Sequence, residues 1–184
     1  MKRIFTYVAA FVILTLGGAR VAGGAQDADA SIRRDGDTWT LSNPSAQRTV
    51  ALQNGKLLLT SLKEGATGRE LIPAGAESQA FSVTLGGDPQ PNALAPGPWE
   101  LVGAEQKQLD QGEQQLDIIV RRGPLQVTKT YVLYPHSSIV REWATFSNAG
   151  DAPLQLVEPH FLNFAARAGD PAGTDFHWMT GGEN

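Results

Sequence analysis

Four side chains near the end of the chain have the chemical types that sugar binding requires: His177, Trp178, Glu183 and Asn184. A tryptophan ring can stack on the apolar C–H face of a sugar, and the other three groups can hydrogen-bond its rim of hydroxyls. Two glycines lie between them and would let a loop bend sharply. We expect these four residues to bind substrate. The alternative is that Trp178 packs in a core or against another domain.

Carboxylates could supply acid–base chemistry, but glycoside hydrolysis needs two of them at a fixed separation across a sugar. Glu142 and Glu158 differ from the other candidates because they lie within strand-like runs. Glu142 should share an inner face with Val140, Ala144 and Phe146, so its charge must be paired or hydrogen-bonded. Its candidate partners are Arg121, Arg122 and Arg141. The sequence does not pair two carboxylates, and we assign no catalytic residue.

The histidines and the absence of cysteine limit metal and cofactor chemistry. His136, His160 and His177 have spacings that fit no helical metal motif. The chain has no cysteine, which excludes disulfides, thiolate metal sites and a cysteine nucleophile. We therefore expect no metal and no cofactor. His160 with Glu158 or Glu142 is the one combination that could serve as the acid and base of a mutarotase-type epimerase.

Residues 1–25 have the three-part pattern of a secretory signal peptide. A basic start, Met1–Arg3, precedes an apolar run from Ile4 to Leu16 and a small-residue exit before Gln26. The apolar run is shorter than the about 20 residues that a spanning helix needs. We expect a secreted or periplasmic bacterial protein with no membrane association after cleavage. The net charge of −4, without a basic stripe, argues against a nucleic-acid partner.

The elements that must position these residues are short strands. After a linker at 26–35, runs of period-2 alternation recur between turn residues, and Asn54–Gly55 predicts a tight hairpin. No segment shows a capped helical stripe. Nine or ten strands exceed one comfortable sheet, so we predict an all-β, two-sheet antiparallel sandwich over 36–184. The predicted strands cover 38–41, 48–52, 56–62, 80–85, 99–105, 114–122, 125–134, 139–147 and 154–164.

One long segment, residues 129–156, resembles a known family. A strand ending in Tyr134–Pro135 is followed by a run containing Arg141, and then by the turn Asn148–Asp151. Shorter matches are Trp39–Asn43, Asn54–Leu57 and Thr67–Leu71. Together they resemble the N-terminal β-sandwich of α-galactosidase-type glycoside hydrolases, family 36 and its relatives.

The resemblance implies a galactose-mutarotase-like supersandwich placed before a catalytic (β/α)8 barrel. In that family the two catalytic aspartates lie on the barrel, and no residue of this chain matches them. We expect a fragment of a glycoside hydrolase: an accessory domain truncated before its barrel, with an oligosaccharide ligand and the downstream barrel as partners. The alternatives are a free-standing carbohydrate-binding module and a purely structural extracellular β-module.

Overall fold

The computed structural model describes residues 30–86 and 98–167, and within these ranges it contains ten β-strands and no helix. No part of these ranges forms a helix that is long and apolar enough to cross a membrane. The strands are β1 (Ser31–Asp35), β2 (Thr38–Ser42), β3 (Ala46–Gln53), β4 (Lys56–Glu64), β5 (Ser82–Gly86), β6 (Glu100–Gln108), β7 (Gln114–Arg122), β8 (Leu125–Leu133), β9 (Val140–Asn148) and β10 (Gln155–His160).

Two four-stranded sheets form the body of the molecule. Sheet I has the order β1-β2-β3-β4, and sheet II has the order β6-β7-β8-β9. Every neighbouring pair is antiparallel, as is the separate two-stranded sheet of β5 and β10. Short turns join successive strands, which is why the order in each large sheet follows the chain. The predicted all-β, two-sheet antiparallel sandwich is confirmed.

The first strand lies outside the predicted domain boundary. Residues 31–35, which the sequence analysis places in a linker, form β1 and pair with β2 along their whole length. This strand is at the edge of sheet I, and its last three residues are exposed. An edge strand with little burial needs no apolar alternation, so its sequence carries no clear strand pattern.

The core lies between the two sheets. Trp39, Leu41 and Val50 of sheet I belong to the same buried cluster as Ile118 and Val127 of sheet II. In β2 and β7 the buried residues alternate with more exposed ones, as the side-chain period of two requires. The alternating positions therefore hold the two sheets face to face.

The turn between β3 and β4 fixes one end of the sandwich. Asn54 and Gly55 both have positive φ values, 50° and 69°, which is the geometry of a two-residue type I′ hairpin. The carbonyl of Gly55 accepts a hydrogen bond of 2.9 Å from the Trp99 backbone N–H. Gly55 lies so close to Pro98 that an added Cβ would be 2.1 Å from the proline Cβ. This turn thus sets the position of the chain that enters β6.

Candidate functional site

The four residues predicted to bind sugar, His177, Trp178, Glu183 and Asn184, lie outside the described residues. Their role stays a prediction. The signal peptide at 1–25 also lies outside the described residues.

Glu142 lies inside the sandwich and is paired with two cations. Its carboxylate is 9% exposed and accepts two hydrogen bonds from the Arg48 guanidinium, at 2.8 and 3.1 Å. Lys129, which is fully buried, places its Nζ 2.7 Å from the same carboxylate. We call Arg48, Lys129 and Glu142 the interior charge cluster. Its two cations and one carboxylate leave a net positive charge.

The prediction that Glu142 is paired is confirmed, but its predicted partners are wrong. Arg141 neighbours Glu142 on β9 and so points to the opposite, exposed face, and Arg121 is exposed on β7. Arg122 lies at the end of β7 and contacts Trp99 instead. The actual partners come from β3, across the sandwich, and from the inner face of β8, next to β9.

Burial shapes the electrostatics of the interior charge cluster. Desolvation lowers the pKa of Lys129, and the charge of Glu142 opposes that shift. Desolvation also raises the pKa of Tyr131, whose hydroxyl is buried without a hydrogen-bond partner among the described residues. Lys129 Nζ donates a further hydrogen bond to the backbone carbonyl of Phe161. The cluster therefore ties the segment after β10 to the inner face of sheet II.

These contacts remove Glu142 from the epimerase hypothesis. Its carboxylate is buried and acts as the counterion of Arg48 and Lys129. His160 is exposed at the end of β10, in the two-stranded sheet. The side chain of Glu158 lies outside the described residues. Glu142 is thus engaged by two cations inside the sandwich, whereas His160 is exposed.

An open pocket of about 360 Å³ lies at the end of the sandwich set by the Asn54–Gly55 turn. It forms where this turn meets the start of β5, the entry to β6 and the exit from β7. We call it the Trp99 pocket. Its described lining comprises Asn54, Gly55, Lys56, Leu57, Gln79, Phe81, Ser82, Val83, Pro98, Trp99 and Arg122.

An aromatic pair and a cation dominate this pocket. The Trp99 ring makes an edge-to-face contact with Phe81, with centroids 5.0 Å apart, and the Arg122 guanidinium lies 4.6 Å from its centroid. The strand register explains the second contact. Glu100 pairs with Arg121 across β6 and β7, so the residue before Glu100 lies beside the residue after Arg121.

Arg122 is the cation of the Trp99 pocket that has no counterion among the described residues. Within the described part of the chain it forms no ion pair, and its enclosed Nε has no hydrogen-bond partner. Desolvation lowers its pKa, although a guanidinium stays charged at neutral pH. Lys56, in contrast, binds the carboxylate of Glu77 at 2.8 and 2.9 Å. The described lining of the pocket therefore presents one positive charge without a counterion.

A second pocket, of about 500 Å³, lies beside the loop that follows β4. Its carboxylate, Glu70, accepts hydrogen bonds from the Ser61 hydroxyl and from the backbone N–H groups of Leu62 and Ile72. Burial alone would raise the pKa of Glu70, but these hydrogen bonds outweigh it and lower that pKa. Glu70 thus anchors the loop and is not available as a free acid.

The sequence predicts a strand that begins at Trp99 and offers Arg122 only as a partner of Glu142. The sequence signal for this pair is that Trp99 begins one predicted strand and Arg122 ends the next, because antiparallel pairing of the two strands brings these ends together, as the β6–β7 register shows. Residues 30–86 and 98–167 contain no group of three or more His, Asp or Glu that could hold a metal ion. No family model matches the chain, and no curated protein matches it.

Proposed function

We propose that this chain is the N-terminal accessory β-sandwich of a secreted glycoside hydrolase of the α-galactosidase type. It supports a catalytic barrel and contributes to carbohydrate binding. The observation on which this rests most is the Trp99 pocket at one end of an antiparallel sandwich, in which aromatic, amide and charged groups meet. Carbohydrate sites combine these groups, because sugars have apolar faces and polar rims.

The segment of residues 129–156 also supports the proposal. Its first part forms the end of β8 and its second part forms β9, with Tyr134–Pro135 in the connection. The turn after β9 is closed by Asn148, whose side chain accepts a hydrogen bond from Gly150 N–H and donates one to the Ala152 carbonyl. The residues that resemble the hydrolase family thus build the second part of β8 and all of β9 in sheet II.

An accessory role agrees with the chemistry of the interior carboxylate. Hydrolysis of a glycosidic bond needs an acid and a second carboxylate that both reach the sugar. Glu142 is instead the counterion of Arg48 and Lys129 in the interior charge cluster. We therefore place catalysis on the barrel and not on the sandwich.

The test is an activity measurement with an aryl α-galactoside. We expect no turnover by the chain alone. A protein that joins the chain to a barrel encoded in the same gene should hydrolyse the substrate, and the same barrel without the sandwich should be less active or less stable. Turnover by the chain alone would contradict the accessory role. A gene without a barrel would also contradict it, and would favour a free-standing carbohydrate-binding module.

A further inference from the structure

We propose that the Trp99 pocket binds an acidic sugar, with the Arg122 guanidinium as the partner of the sugar's carboxylate. This inference rests on the carbohydrate-binding part of the proposed function and names the class of ligand. It is independent of whether a catalytic barrel accompanies the chain.

The charge of the pocket favours an anion. Its described lining contains two cations, Lys56 and Arg122, and no carboxylate. Glu77 already neutralises Lys56 from outside the lining. Arg122 has no such partner within residues 30–86 and 98–167, although it is partly desolvated against the Trp99 ring. An unpaired, partly desolvated cation is unfavourable, and a bound anion would restore the charge balance.

The number of free charges favours a carboxylate over a phosphate. One guanidinium balances one negative charge, and its planar fork matches the two oxygens of a carboxylate. A phosphate monoester carries about −1.5 to −2 charges at pH 7, which a single arginine would leave partly uncompensated.

The rest of the lining favours a sugar over a small free carboxylate. Trp99 and Phe81 supply an apolar wall, while Asn54 and Ser82 supply amide and hydroxyl groups. The volume of about 360 Å³ lies within the range of about 300–1,000 Å³ that small-molecule sites occupy. Galacturonate meets these requirements, because it is a sugar ring with one carboxylate.

The wall of the pocket is held in place before any ligand binds. The Gly55 carbonyl fixes the Trp99 backbone at 2.9 Å, and Pro98 packs against the glycine. The Phe81 ring packs edge-to-face against the Trp99 ring. A preformed wall lowers the cost of ordering side chains on binding.

The experiment is calorimetric titration of the purified protein with galacturonate, galactose, acetate and inorganic phosphate. We expect galacturonate to bind more tightly than each of the other three. R122Q should weaken galacturonate binding by about tenfold or more, because a hydrogen bond to a charged group is lost. R121Q is the matched control: Arg121 is the preceding residue and is exposed, so affinity should stay within about twofold.

Each other outcome overturns the inference. Equal affinity for galactose and galacturonate, with no effect of R122Q, would show a neutral-sugar site and leave the proposed function standing. Equal affinity for acetate or phosphate would show a simple anion site. R122K serves if R122Q does not fold. It keeps the charge but loses the planar fork, so galacturonate should bind more weakly. Unchanged binding would overturn the pairing of the guanidinium fork with the carboxylate.

Discussion

Two buried cations share one carboxylate in the interior charge cluster, and this imbalance decides how each residue contributes to stability. Removing Glu142 would leave Arg48 and Lys129 buried without a counterion, and the guanidinium cannot shed its charge. Removing Lys129 would leave a balanced pair of Arg48 and Glu142 joined by two hydrogen bonds. Glu142 is therefore the member on which the cluster depends.

We predict that Glu142→Gln lowers the free energy of unfolding by about 3–5 kcal/mol, the usual cost of breaking a buried ion pair. Lys129→Met should cost much less, because methionine fills the same space and the remaining pair is neutral. Urea unfolding of the two variants measures the difference. Arg141→Gln, on the exposed face of β9, is the control and should change little. A larger loss for Lys129→Met than for Glu142→Gln would contradict this description of the cluster.

The burial of Glu142 could be predicted from the sequence, whereas its partners could not. Period-2 alternation along β9 places Glu142 on the same face as Val140 and Phe146, and this is what the structure shows. Arg48 comes from the opposite sheet, 94 residues away along the chain. The alignment of one sheet on the other depends on packing, which no local pattern encodes.

At the scale of elements, the Asn54–Gly55 turn joins the fold to the candidate site. The positive φ values of the turn let β3 and β4 form a tight hairpin. The same turn packs against Pro98 and accepts a hydrogen bond from the Trp99 backbone N–H. Gly36, in the β1–β2 hairpin, has a similar φ of 55° but nothing within 4 Å of an added Cβ. Substituting each of the two glycines therefore separates the energetic cost of backbone strain, which both positions share, from the cost of a steric collision, which only Gly55 has.

We predict that Gly55→Ala destabilises the protein more than Gly36→Ala does. Both variants carry the strain of a non-glycine residue at positive φ, on the order of 1 kcal/mol. Only Gly55→Ala adds a collision with Pro98, which should move Trp99 and change its fluorescence. Thermal unfolding and tryptophan emission measure the two effects. Equal losses of stability with unchanged emission would contradict the proposed link between turn and pocket.

The loop that follows β4 gives a prediction about pH. Hydrogen bonds to Glu70 lower its pKa below the ordinary value of 4.5. The Glu70 carboxylate therefore contributes its full stabilisation at pH values above 4.5, the ordinary pKa. That stabilisation is lost as the pH falls through the lower pKa that Glu70 has in the folded protein. The effect should be small because the group is largely exposed to solvent. We expect the melting temperature of the wild type to exceed that of Glu70→Gln at neutral pH and to approach it in acid. A pH-independent difference would contradict this.

The sequence predicts which strands exist better than it predicts the residues at which they begin and end. Strong alternation and turn residues predict the strands from β2 to β10, and the structure has all of them. The exception is β1, an exposed edge strand whose residues Ile32 and Arg33 show no sustained alternation. Its pairing with β2 is a property of the sheet, supplied by backbone hydrogen bonds together with the packing of Ile32 against the core.

At the scale of the whole molecule, the Trp99 pocket was not predictable because separate segments build it. The turn at Asn54, the start of β5 and the strand ends at Trp99 and Arg122 meet only when sheets I and II pack together. The chain as a whole carries a net charge of −4, so it does not attract anions in general. Recognition of an acidic sugar must therefore depend on the local charge of Arg122.

The most direct test of this account is an NMR titration that follows the indole N–H signals of Trp39, Trp99, Trp143 and Trp178 while galacturonate is added. Trp99→Phe assigns the signal of the pocket. We predict that the Trp99 signal moves in a saturable way while that of Trp39, which is buried in the core, stays in place. A Trp99 signal that stays in place, whether or not the Trp178 signal moves, would contradict the assignment of the sugar site to this end of the sandwich.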